Sequence, residues 1–505
     1  MTGTLTILVY GLACYVLYLT ALATYRLFLS PIASIPGSKL AAATGWYETY
    51  FDAVLGGQFI FKIEQWHKRY GPVIRISPWE VHIADPEFYD VAYSTRSKHS
   101  KFQPWQQRFG LPLSTFDVIH HEQHNHRRQA IALFFTRQRV LSYTPYIQKC
   151  VNKMCERFET EYRHTKKPLC LDEAYAALTS DIINFYSFAL SYDFLDMPEF
   201  KSPFTSSIRK LALSLHVSGH FPWFLQLMQS LPQSWIAVLN PNMKPVFEFH
   251  GEIREQIRRI MTSENTSSQM SAHPTVFSEM LQSSLQPEEK TLDLLYHEAA
   301  SIVGAGIETT KTALAVASFH ILDNEPIKQR LQKELRAAIP EPLSAPPTLA
   351  QLERLPYLQA VIQEALRMSY GISQRLIRVN PVTPIQYESF VIPPGTSFSM
   401  SAYLQHRDPR IFPSPDEFRP ERWLDGDTAH IGTHPLSKYL VPFGKGPRMC
   451  LGMNLAMAEL YLVLGHVFSR FDMELYETRR DVVDMAADFF IPIPKNVNGV
   501  RVLVR

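Results

Sequence analysis

The chain of 505 residues is 46% hydrophobic and 19% charged, a composition that supports a large buried core and excludes global disorder. Lysine and arginine total 50 against 48 aspartates and glutamates, a net charge of +2, without the concentrated basic surface that nucleic acid demands. The 5 cysteines, at 14, 150, 155, 170 and 450, are sparse and irregularly spaced, which excludes a disulfide framework and fits a reducing compartment.

Residues 1–25 carry no charged side chain. A membrane-spanning helix needs roughly 20 apolar residues, which this stretch supplies. A cleaved signal peptide would show a basic start and a shorter apolar core. We read residues 1–28 as a membrane anchor, in preference to a buried core helix. Arg26 and Lys39 follow the span, so the positive charge favours a cytosolic location for the rest. Pro31 and Pro36-Gly37 break the helix, and residues 29–40 are expected to form a stiff, proline-rich hinge. Residues 41–505 show no repeat and no compositional boundary. They are expected to form one large body, mainly α with a small β portion.

Along that body, "GPVIRISPWEVHIAD" has apolar residues at period two and predicts a hairpin. His124 and Arg128 stand four apart, on one face of a predicted helix. Cys150, Cys155 and His164 invite comparison with a zinc set, but thiols in a helical stretch read as ordinary packing. Residues 220–246 are apolar and aromatic between prolines. They read first as core, with a surface dipping into the membrane as the alternative. Residues 273–291 are expected to be a polar surface connection, and 339–349 a proline-rich loop. A long helix is predicted from about Thr291 to Asn324, about 50 Å at 1.5 Å per residue. Within it Thr309 can bond back to the carbonyl of Ala305 and open the helix locally, with Gly306 leaving room in the groove. Glu364 and Arg367 share a helix face further on.

The stretch "VPFGKGPRMCLG" surrounds Cys450 with glycines at 444, 446 and 452. A thiolate that binds metal needs backbone N–H donors and positive charge near its sulfur. These glycines let the backbone curl around that atom, and the helical run that follows aims its positive end there. Phe443 can shield the sulfur from water. Zinc needs three or four protein ligands, and no second cysteine is near. A lone thiolate suits a haem iron, whose equatorial ligands come from the porphyrin.

Phe443, Gly446, Arg448, Cys450 and Gly452 fill every specified position of F-x-x-G-x-R-x-C-x-G, the haem-binding signature of the cytochrome P-450 superfamily, which the chain resembles over its whole length. "AGIETT" (305–310), Glu364-x-x-Arg367 with Arg422, and "HNHRR" follow the family's other motifs. The resemblance implies a cytochrome P-450 fold, with a single haem domain after an N-terminal transmembrane helix. It implies haem b as cofactor and Cys450 as the metal ligand. His124, where many members have tryptophan, would bind the haem propionates with Arg128, Arg375 and Arg448. Glu308 and Thr309 would deliver protons, and Glu364, Arg367 and Arg422 would fix the cysteine loop. The implied reaction is monooxygenation of a small apolar substrate by O2, with electrons from a membrane-bound NADPH-cytochrome reductase. The implied location is the endoplasmic reticulum membrane, single-pass. The texture of several segments is similar to fungal trichodiene oxygenases, which points to a terpenoid or related secondary metabolite. Its candidate lining is 102–116, Ile302, Ala305, Tyr370–Ser373 and Phe489–Ile491. A haem-thiolate isomerase or dehydratase working without reductase, and a haem-binding sensor, remain as rival readings. No nucleic-acid partner is expected.

Overall fold

The computed structural model describes residues 2–106, 108–201, 214–239, 241–263, 275–339, 346–424 and 434–505. The principal helices are α1 (Thr2–Thr24), α2 (Phe59–Tyr70), α3 (His121–Ala132), α4 (Arg137–Arg157), α5 (Leu171–Phe188), α6 (Pro222–Ser230) and α7 (Gln233–Leu239). They continue with α8 (Lys244–Ser263), α9 (Val276–Gln282), α10 (Leu292–Asp323), α11 (Glu325–Ala338), α12 (Pro356–Ser369) and α13 (Met453–Arg470). The strands are short: β1 (Val73–Arg75), β2 (Glu80–Ile83), β3 (Leu169–Cys170), β4 (Arg378–Val379), β5 (Ile385–Tyr387) and β6 (Phe390–Ile392). After them come β7 (Ser397–Ser399), β8 (Met473–Leu475), β9 (Met485–Phe489), β10 (Ile491–Pro494) and β11 (Arg501–Val504). They assemble as β1-β2-β7-β4, β3-β11-β8 and the pairs β5-β6 and β9-β10. The fold is mainly helical with a small β portion, as the sequence implied.

Helix α10 is the axis of the body. The Thr291 side chain caps its start by accepting from Leu294 N–H, and Asn324 ends it while capping α11. It packs on α5, α8, α12 and α13, so most of its length is buried. Where it faces α5, a Cβ on Gly306 would stand 2.8 Å from Ile183 Cγ1. Gly306 therefore sets the helix–helix distance, a packing role where room in a groove had been expected.

Helix α1 with its continuation, Gly3–Leu29, is long and apolar enough to cross a membrane, and no part of it is buried in the body. The segment after it is not a free hinge. Ile32 and Ile35 are buried, and Arg75 N–H donates to Pro36 O at 2.7 Å. Arg75 Nη1 reaches back to Arg26 O at 2.7 Å. The β1–β2 hairpin forms as expected, with Val73 opposite Ile83.

The reading of residues 220–246 as core holds at Ile236 and Val246, each 3% exposed, but fails at the tryptophans. Trp223 is 62% exposed, Trp235 64% and Val238 81%, an apolar display of the kind that meets a membrane or a partner. Phe221 joins Trp223 to the exposed Trp46, with ring centroids 5.9 Å apart in the Trp46 pair. Residues 273–291 also differ from expectation. They contain α9, begun by a Thr275–Ser278 capping box that buries Val276, Phe277 and Met280. Most of the 339–349 loop lies outside the described residues. Cys150 and Cys155 are buried within α4, and burial pushes both thiols up to about 12, so they are packing residues and poor ligands.

Candidate active site

Cys450 ends the loop that leads into α13. Gly444 and Gly446 have φ of +64° and +77°, open to glycine at little cost. A Cβ on Gly446 would lie 2.5 Å from Tyr93 O. The turn closes where Cys450 N–H donates to Phe443 O at 2.8 Å. Gly452 caps α13 and directs its N–H at the Cys450 sulfur. Burial pushes the thiol up, while the Gly452 N–H and the Arg128 charge favour the thiolate. Phe443 is half-buried beside it, against the main core. The Cys450 side chain nevertheless keeps an accessible face, although the sulfur sits deep in the protein. It borders an internal cleft.

A rigid network holds this loop. Arg367 and Glu364 pair bidentately at 2.8 and 2.9 Å, with neither side chain exposed. Arg422 Nε and Trp423 Nε1 each donate to Glu364 at 3.0 Å. Arg367 also donates to the carbonyls of His406, Pro415 and Glu417. His406 closes the chain: Nδ1–H donates to Arg367 O at 2.9 Å, and Nε2 accepts Val441 N–H at 2.8 Å. Val441 is the first residue of the cysteine loop's signature stretch. Burial of an ion pair is costly, and hydrogen bonds to both Glu364 oxygens and to the Arg367 guanidinium offset it.

Cations converge on the cleft. His124 is depressed to about 2 by burial and then by Arg448, Arg128, Lys101 and Arg378. Arg448 is lowered to about 9 by burial, Arg378 and Arg128. Its Nη atoms donate to Val118 O and Ile119 O at 2.8 Å. Burial also lowers Lys101 and Arg378. Like charges gathered out of water call for anions between them. Arg375 is not among them. It pairs with Glu80 at 2.8 Å and with Glu48, fully engaged in a buried cluster of its own. Arg378, three residues further on, is the arginine of this segment that lies near Arg448 and His124. The two arginines of "SQRLIRV" part because residues three apart on an extended segment face opposite sides.

On α10, Thr309 Oγ1 donates to Ala305 O at 2.8 Å, as the sequence implied. Ala305 is exposed although Val303 and Ile307 beside it are fully buried. The helix therefore opens one narrow stripe to the cleft. Glu308 lies off that stripe, paired at 2.5 Å with Lys311, and its Oε1 has no hydrogen-bond partner. Across the cleft, Phe109, Phe116 and Phe490 meet edge to face, with centroids 5.0–5.7 Å apart. Arg108 lies over Trp105 at 4.5 Å and over Phe490 at 5.4 Å, and its Nη1 has no hydrogen-bond partner. Glu298, unremarked in the sequence, accepts from Thr115 N–H at 2.6 Å and pins this loop to α10. Tyr370 belongs to the core with Tyr403 and Phe59, not to the cleft lining.

The family model for Cytochrome P450 matches residues 49–497. The chain belongs to the cytochrome P450 family. It is 45% identical over 498 residues to cytochrome P450 monooxygenase orf6 of Eupenicillium brefeldianum, covering 97% of this chain and 98% of that protein. It is 40% identical over 503 residues to cytochrome P450 monooxygenase MO6277 of Ascocoryne sarcoides, covering 97% of each. Tryptophan 6-hydroxylase fscE of Fusarium equiseti is 36% identical over 503 residues, covering 99% of this chain and 96% of that protein. The chain is thus a P450 monooxygenase, of a family that uses haem, O2 and a redox-partner reductase. The residues present fit the haem of a P450. Arg448 Nε and His124 Nδ1 are buried without hydrogen-bond partners, amid cations that two propionates would neutralise.

Proposed function

We propose that this P450 binds haem b through Cys450, with Arg128, Arg378, Arg448 and His124 around the propionates. We propose that it hydroxylates or epoxidises a terpenoid or related secondary-metabolite skeleton. One observation carries the reading: the Cys450 sulfur keeps an open face at the N-terminus of α13, between the Gly452 N–H and Arg128. When bound, haem supplies dioxygen binding and reductive cleavage, helped by electron donation from the thiolate. The protein supplies orientation and protons. His124, whose Nδ1 is buried without a hydrogen-bond partner, serves as a hydrogen-bonding group toward the propionates. Thr309, its O–H resting on Ala305 O, offers a hydroxyl on the open stripe of α10. Glu308 with Lys311 forms a buried reserve of exchangeable protons beside it. The phenylalanine trio excludes water and binds apolar surface by burial.

Electrons would come from a membrane-bound NADPH-cytochrome reductase. A groove of about 550 Å³, lined by Arg137, Leu141, Phe443, Asn454 and Met457, adjoins the cysteine loop, and we assign it to that donor. Helix α1 would hold the protein in the endoplasmic reticulum membrane, single-pass, with residues 41–505 as the cytosolic haem domain. The exposed Trp223 and Trp235 support a membrane-facing surface.

The test is reconstitution of the full chain with reductase, NADPH and sesquiterpene or diterpene precursors. We expect a Soret shift to shorter wavelength on precursor binding and an oxygenated product that requires NADPH. Product formed without reductase would replace this reading by an isomerase or dehydratase. Turnover of fatty acids alone would overturn the terpenoid assignment. A second reading, an aromatic amino-acid derivative, is favoured by the unpartnered Nη1 of Arg108 and by the relationship to a tryptophan hydroxylase. An indole substrate turned over in place of terpenoids would establish it.

A further inference from the structure

A second group of metal-ligand atoms lies outside the Cys450 cleft. His216 and His220 stand four apart on the helical segment 214–220, so they share a face. Asp52 sits opposite, in a π-helical turn, Tyr50–Val54. His216 Nδ1 is 3.7 Å from Asp52 Oδ2, and His220 Nε2 is 4.0 Å from the same oxygen. The three residues can place one ligand atom each within 4.8 Å of the others. Asp52 is 3% exposed and His216 1%.

The remaining polar atoms of all three residues are already occupied. His216 Nε2 is bonded to Asp488 O. A carbonyl only accepts, so Nε2 carries the proton and Nδ1 keeps a lone pair. His220 Nδ1 lies 3.2 Å from Thr49 Oγ1, whose hydroxyl donates to Gly45 O. That assignment puts the His220 proton on Nδ1 and a lone pair on Nε2. Asp52 Oδ1 accepts from Phe59 N–H at 3.2 Å, leaving Oδ2 turned toward the histidines. His216 Nδ1 and His220 Nε2 have no hydrogen-bond partner. Separations of 3.7 and 4.0 Å are too long for protons to bridge these nitrogens to Oδ2. Three converging lone pairs, each fixed by a bond on its far side, are how metal-binding imidazoles and carboxylates are held.

We propose that Asp52, His216 and His220 form a zinc site, with water as a fourth ligand. A tetrahedral zinc with bonds of about 2.0–2.2 Å sets its ligand atoms about 3.4 Å apart. That is closer than the 3.7 and 4.0 Å that now separate Asp52 Oδ2 from the two imidazoles, so the histidine side chains must draw in around the metal. Two imidazoles and a carboxylate suit zinc over magnesium or calcium. The surroundings favour a divalent cation. Asp52 lies within electrostatic reach of Glu48 and Asp488, and Glu48 within reach of Glu80, these carboxylates facing the guanidinium groups of Arg375 and Arg108. The metal would fasten three separate pieces of chain: the turn before α2, the segment before the exposed α6, and, through Asp488, the β9 strand that leads to Phe490 of the cleft. Its role is structural, tying the 214–220 segment to the body beside the substrate cleft.

The experiment uses the full-length holoprotein in detergent, treated with a chelator, equilibrated with zinc and freed of excess. Elemental analysis should then give about one zinc per haem iron in the wild type. Asp52→Asn, His220→Gln and His216→Ala should retain haem and the thiolate carbon monoxide band but lose the zinc. Zinc should raise the Tm of the wild type and leave that of the variants unchanged. If His216→Ala fails to fold, the near-isosteric Asp52→Asn and His220→Gln carry the test. Wild-type protein that retains no zinc above the buffer, or variants that retain it equally, would overturn the proposal.

Discussion

Arg375 and Arg378 are separated by two residues and finish in different electrostatic worlds. The chain between them is extended, so an offset of three turns their side chains to opposite sides. Arg375 neutralises Glu48 and Glu80, while Arg378 joins Arg448, Lys101 and His124. The two should therefore fail differently. Arg375→Leu leaves two buried carboxylates uncompensated, a loss of about 3–5 kcal/mol, and should lower Tm sharply. Arg378→Leu should fold with near-normal Tm but with a reduced haem-to-protein ratio. Haem loss at normal Tm for Arg375→Leu would reverse the two assignments. Cys450→Ser removes the sulfur, so the carbon monoxide difference band diagnostic of thiolate ligation should vanish; its persistence would exclude Cys450 as ligand. Thr309→Ala loses one hydroxyl whose bond lies within its own helix. It should keep haem and stability while releasing peroxide in place of product. Unchanged coupling of NADPH use to product would take Thr309 off the proton path.

At the scale of elements, the contact between α5 and α10 depends on a missing side chain. Gly306→Ala drives a methyl group to 2.8 Å from Ile183 Cγ1, and overpacking of this kind costs about 1–3 kcal/mol. Its Tm should fall, and adding Ile183→Ala should recover part of the loss. A Gly306→Ala variant with full stability would show that the glycine has no packing role. The Glu364–Arg367–His406–Val441 chain works across elements in a different manner. It ties α12 to the cysteine loop through hydrogen bonds, so polar geometry adds to the apolar packing of Val441 and Phe443 in fixing the position of Cys450.

For the whole molecule, buried histidines set the response to acid. Burial depresses His406 and His320 to about 3, and His67, His250 and His466 to about 4. In the unfolded chain each takes a proton near pH 6.5. Below that pH the unfolded state binds more protons, so stability is lost as pH falls toward the folded values. Seven carboxylates raised by burial, Asp181 and Asp488 to about 6 together with Glu48, Glu173, Glu252, Glu298 and Glu459, act in the opposite sense as they protonate. With His82, His99, His124 and His297 also depressed, nine histidines outnumber them among the described residues. Tm of the holoprotein should fall steadily from pH 7 to pH 5. A flat or rising profile would show that these histidines are not neutral in the folded state.

The sequence by itself determined what local chemistry can write. The apolar run of α1, the caps of α10, the Thr309–Ala305 bond and the glycine-rich turn at Cys450 each depend on neighbours a few residues away. The match of the cysteine signature made the family legible because that turn must be built from contiguous residues. Only the tertiary structure decided what depends on distant partners. Glu80 is brought to Arg375 by the pairing of β2 with β7, and no local pattern in "SQRLIRV" tells which arginine has an acid waiting for it. Trp223 and Trp235 resemble core residues in composition, and their exposure depends on what fails to cover them. Gly306 suits both a groove and a helix contact until Ile183 arrives from α5. Asp52 and His216 are 164 positions apart in the chain, and only folding sets their lone pairs face to face.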